Sequence, residues 1–62
     1  IQINPDYAEA YLNLGIALEQ QNQRQNAIVA LQMSRNLYRR QGNNYKADQI
    51  ESSLQQMRVA AG

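Results

Sequence analysis

The sequence predicts an all-α chain, an antiparallel helical hairpin over about 6–21 and 24–41 followed by a third helix over about 44–60. Three observations predict it. Apolar residues recur at spacings of three and four along most of the chain, which is the signature of one face of an α-helix. The interruptions are short and hold Asn or Gly, residues that end helices. No strand pattern competes: Ile1 to Ile3 alternates apolar and polar, but three residues are too few to make a strand.

The first helix follows from Tyr7, Tyr11, Leu14 and Leu18, which lie on one stripe. Asn4, Pro5 and Asp6 mark its start, with Asp6 as N-cap and Glu9 at the N3 position of a capping box, where negative charge also suits the helix dipole. It should stop near Gln21, because Gln20 to Gln25 holds no apolar residue and Asn22 readily adopts a left-handed conformation. A second stripe of Ala27, Ile28, Leu31, Ser34, Leu37 and Tyr38 gives the second helix, with Arg35, Arg39 and Arg40 towards its negative end. Gly42 then reads as a C-cap, and Asn43 and Asn44 as a new N-cap. The third helix places Ala47, Ile50, Leu54 and Met57 on one face, and Lys46, Gln49, Glu51, Ser52, Gln55 and Gln56 mostly on the other. Connections this short require each helix to run antiparallel to the one before it.

Composition narrows the chemistry. With no Cys and no His among 62 residues, the chain lacks a thiol nucleophile, a neutral-pH proton shuttle and the commonest soft metal ligands. No catalytic, cofactor or metal site is expected. Disulfides are impossible, so the redox compartment leaves no trace. A net charge of +1 falls far short of the basic excess of a dedicated nucleic-acid binder, and ten Gln and seven Asn make the surface polar without a strong field. No apolar run reaches the ~20 residues of a membrane span, and the N-terminus has no signal-peptide pattern. A helical unit of this size buries roughly 60% of its unfolded surface, so stability should be marginal. Beginning at Ile1 without Met, the sequence reads as an excised piece.

Tyr11-x2-Leu14-Gly15-x2-Leu18 followed by Ala27-x3-Leu31 matches in type and register the Trp-x2-Leu-Gly-x2-Tyr and Ala-x3-Phe of the 34-residue tetratricopeptide signature. Residues 8–41 therefore resemble one tetratricopeptide repeat, and Asn4 to Tyr11 is similar to the junction between two repeats. The family's closing Pro should fall at position 39 and, one period earlier, at position 5. Position 5 is Pro and position 39 is Arg. The resemblance implies that residues 1–7 are the tail of a preceding repeat, that 8–41 is one motif and that 42–62 is a C-terminal capping helix ending an α-solenoid. One period after Tyr11 stands Tyr45, but Asp48 and Gln49 replace the Leu-Gly pair, as suits an amphipathic cap. Independently of any family, Gly15 and Ala27 lack bulk and let two helices approach, while Tyr11, Leu14, Leu18 and Leu31 are expected to fill the space beside them.

What the resemblance implies for function is a non-catalytic interaction or scaffold module that binds a peptide or partner protein along the first helix, through Glu9, Leu12, Asn13, Ile16, Glu19 and Gln20. Asn13 stands where related domains hydrogen-bond a peptide backbone; the plainer reading is a solvated Asn. Leu12 and Ile16, off the main stripe, suggest an apolar contact surface or packing against a neighbouring repeat or the third helix. Family members that clamp a C-terminal carboxylate place Lys or Arg on this face, whereas this chain offers Glu9, Leu12 and Ile16. The alternative is self-association, a second copy covering exposed hairpin surface. Arg35, Arg39 and Arg40 with Tyr38 would suit nucleic acid, but charges on the helix dipole explain the arginines and packing on the third helix explains Tyr38, so no nucleic-acid partner is expected. Glu9 with Glu19, or Asp48 with Glu51, lack anything to orient them as acid–base pairs. Met33 and Met57 read as core or interface fillers.

Overall fold

The computed structural model of the protein describes residues 6–61, with side chains as far as Val59. The start signals Asn4 and Pro5, the Ile1–Ile3 alternation and most of the expected tail over 1–7 lie outside the described residues. Three helices account for nearly all the rest: α1 (Tyr7–Gln20), α2 (Arg24–Arg40) and α3 (Asn44–Ala61), with no strand among the described residues. The ends fall within a residue of those expected.

Local signals set these ends. Asp6 Oδ1 accepts hydrogen bonds from the backbone N–H of Ala8 at 3.1 Å and of Glu9 at 3.3 Å, capping α1. Its far end closes with Asn22 at φ 64°, Asn22 N donating to Glu19 O at 3.0 Å and Gln23 N to Leu18 O at 2.9 Å. The same closure recurs after α2, where Gly42 takes φ 81°, Gly42 N donates to Arg39 O and Asn43 N to Tyr38 O, both at 2.9 Å. Both are Schellman motifs, which satisfy the last carbonyls of a helix and reverse the chain in few residues. Asn43 Oδ1 then accepts from Lys46 N at 3.3 Å and caps α3.

The hairpin packs through small residues. Ala8 and Gly15 on α1 meet Ala27, Ala30 and Ser34 on α2, all buried. Ser34 Oγ donates to Ala8 O at 2.6 Å, so the one buried polar side chain among the described residues is satisfied. A methyl at Gly15 would lie 2.7 Å from Leu31 Cγ and Cδ2, inside any real contact, which explains the glycine. Between α2 and α3 the core is bulkier, with Tyr38, Ile50 and Leu54 buried beside Ala47.

The expected α1 core face needs correction. Tyr11 and Leu18 are half-buried, but Leu14 is 47% exposed and Tyr7 60% exposed, so Leu14 does not fill the hairpin core. The close approach at Ala8 and Gly15 centres the contact on the Ala8–Leu12–Gly15 line, and the larger stripe stands to its side. Met33 is likewise exposed rather than a core filler. Helix α2 packs on both neighbours, whereas no residue of α1 comes within 8 Å of α3, Cα to Cα. The result is a thin body of 42 × 22 × 12 Å with a gap between α1 and α3.

Candidate functional site

The gap is a groove of about 510 Å³. Its α1 wall is Leu12, Gly15, Ile16, Glu19 and Gln20, its floor Leu31 with Arg24 at one end, and its α3 wall Ile50, Ser53, Gln56 and Met57. Leu12 and Ile16 are one helical turn apart and so present one apolar strip, while the antiparallel turn at Asn22 returns Arg24 beside Glu19. The pair Arg24 Nη2 to Glu19 Oε2 spans 3.6 Å. An apolar floor with a few polar groups at its rim is the usual make-up of a site that holds a ligand by burial and orients it by hydrogen bonds.

Four of the six expected binding residues, Leu12, Ile16, Glu19 and Gln20, line this groove. Glu9 and Asn13 do not; both are exposed on α1 beyond the groove. Leu12 also packs against the core cluster, so its two readings combine in one side chain, while Ile16 stays 48% exposed. The lining residues that sequence reasoning did not assign to binding are Gly15 on α1, Arg24 and Leu31 on α2, and the whole α3 wall. A signal for Arg24 existed, since a hairpin that places Ala27 opposite Gly15 must place Arg24 near Glu19.

The other candidate groups have structural partners. Arg35 donates to Glu51 Oε1 at 2.6 Å, and Arg39 donates to Asp48 Oδ1 at 3.1 Å and to Asn44 Oδ1 at 3.5 Å. Tyr38 is buried, and the Lys46 ammonium sits 5.8 Å from its ring centroid. Two of the three clustered arginines are thus engaged by α3. The same bonds occupy Asp48 and Glu51, and the hydrogen bond from Arg35 holds the Glu51 carboxyl below its usual range. Glu9 and Glu19, ten residues apart on one helix, are separated by ~15 Å along its axis. Burial, then the charges of Asp6 and Glu9, push the Tyr38 hydroxyl above its ordinary value. Among the described residues no group of three or more acidic side chains could hold a metal ion, and no helix is long and apolar enough to cross a membrane.

No family model, curated protein or solved structure matches the chain, and the reading of the groove rests on its own geometry.

Proposed function

We propose that the chain is a non-catalytic protein-interaction module of the tetratricopeptide kind, a helical hairpin with a capping helix, which receives a peptide or a segment of a partner protein against α1. The observation that carries this reading is the groove, apolar at Leu12, Ile16, Leu31, Ile50 and Met57 and polar at its rim. The small-residue crossing at Gly15 and Ala27 and the polar outer face of α3 support the tetratricopeptide assignment, because both are what an end unit of a helical stack requires. Carboxylates held by arginines, or set far apart, favour binding over acid–base chemistry.

The test is selection from a random peptide library on the 62-residue chain, followed by fluorescence anisotropy of enriched peptides with wild type and Ile16→Glu. Half-exposed Ile16 accepts Glu without a packing defect, so circular dichroism should be unchanged. Peptides are expected to lose about tenfold or more in affinity for the variant, ~1.4 kcal/mol. Affinity that survives the substitution places binding elsewhere and removes the groove from the reading.

One observation favours self-association through exposed hairpin surface as a second reading. Leu12 and Ile16 belong to the groove, whereas Tyr7 and Leu14 on α1 and Met33 on α2 are exposed on the side of the hairpin away from α3, with Val29 one turn from Met33. Their open surface, on the order of 400 Å², matches the largest apolar patch of an ordinary monomer. It is about half of the ~800 Å² per partner of a standard interface, with half-buried Tyr11, Leu18 and Leu37 to extend it. Sedimentation equilibrium of wild type and Leu14→Glu distinguishes the cases: a dimer lost in the variant supports this reading, and a monomer throughout removes it.

A further inference from the structure

The outer side of α3 takes no part in holding the three helices together. Tyr45, Gln49, Ser52, Gln56 and Val59 recur along it at spacings of four and three, the seam spacing by which one helix packs along another, and each of them is exposed. Ala47, Ile50 and Leu54, which join α3 to the core, lie on the opposite side. The strip has apolar ends, Tyr45 at 72% and Val59 at 80% exposed, and an uncharged polar middle.

The two ends differ in shape. At one, Tyr45 projects, and its hydroxyl accepts from Gln49 Nε2 at 2.9 Å, which settles the ring along the strip. At the other, Ser52, Gln55, Gln56 and Val59 border an open hollow of about 440 Å³. A ring and a hollow on one face of a straight helix cannot meet each other, yet a second copy running the opposite way sets each ring over the other's hollow. The two-fold axis then passes between Gln49 and Ser52, halfway from ring to hollow. There the small Ser52 lets the helices approach, and the Gln49 amide and Ser52 hydroxyl supply both donor and acceptor across the axis. Asp48 and Glu51, beside the strip, are bound to Arg39 and Arg35 of α2, so a like copy brings no unpaired carboxylate against its twin. The open surface of the strip and hollow together is on the order of 600 Å² per copy against the ~800 Å² of a standard interface, which suits a small, readily reversible pairing.

We propose that two copies of the chain pair through the outer strip of α3, antiparallel, with Tyr45 of each lodged in the hollow beside Val59 of the other. This surface is separate from the Tyr7–Leu14 edge and shares only Gln56 with the groove lining. The contact closes on itself, because one helix carries both halves of it.

Sedimentation equilibrium up to millimolar concentration tests the pairing, and single thiols test its direction. Tyr45→Ala, at an exposed position, keeps the helices by circular dichroism and should weaken the dimer about tenfold or more, whereas Leu14→Glu should leave it within about twofold. The chain has no Cys, so an introduced one reports alone. In a glutathione redox buffer Ser52→Cys, beside the axis, should form a disulfide dimer, and Val59→Cys, whose two copies stand ~20 Å or more apart along antiparallel helices, should not. A monomer throughout, a dimer that survives Tyr45→Ala, one lost in Leu14→Glu, or linkage through Val59→Cys as ready as through Ser52→Cys overturns the inference, and each leaves the groove reading untouched.

Discussion

At Gly15 a single hydrogen decides how near α1 can come to α2. Alanine there would gain ~1 kcal/mol of helix propensity, but its methyl would overlap Leu31 Cγ and Cδ2 at 2.7 Å and press on Ala27 O at 3.4 Å. Overpacking of this kind costs ~1–3 kcal/mol, and Leu31 is itself buried, so the overlap wins. Gly15→Ala is expected to lower stability by about 1 kcal/mol, read as a fall in the urea midpoint; a raised midpoint would mean that Leu31 repacks freely. Residues whose role is local were the ones legible beforehand. Asp6, Asn22 and Gly42 act on backbone groups within a few positions, so chain neighbours identify them. Leu14 was misread because periodicity gives a stripe and not its rotation about the helix, which the packing of Ala8 and Gly15 set.

Between elements, two ion pairs hold α3 to α2. The Glu51 carboxyl, lowered by its bond from Arg35, is ionised more readily folded than unfolded. Its contribution is therefore fully present above the ordinary carboxylate range and is lost as pH falls through the lowered folded value. Urea midpoints of wild type measured from pH 7 down to pH 3 should decline more than those of Glu51→Gln, which is weaker at pH 7 and flatter with pH. Parallel curves would deny Glu51 this role. Tyr38 acts in the opposite sense: its raised value preserves stability below the ordinary tyrosine range and loses it as pH rises through the folded value. The sequence offered Arg35, Arg39, Asp48 and Glu51 but not their pairing, since partners 16 and 9 positions apart meet only once two helices are set against each other.

For the molecule as a whole, α2 is the shared core, and the stability of a chain this short is roughly 3–9 kcal/mol. Leu54 is fully buried in the α2–α3 contact, and Leu54→Ala should cost ~2–5 kcal/mol, a large part of that total. Loss of far-ultraviolet helicity and a broadened or missing thermal transition are expected by circular dichroism; a sharp transition within a few degrees of wild type would show that α3 adds little. The candidate site was half legible at this scale. Its α1 wall could be named because it lies on one helix, whereas the α3 wall depends on two successive helix crossings, which no spacing within the sequence encodes.

Because α1 and α3 meet only through α2, the three helices form an open series with two joints. Anything lodged between Ile16 and Met57 would supply the missing third joint and close the series into a ring. Binding would then appear far from the groove: hydrogen exchange should slow at the outer turns of α1 and α3 together.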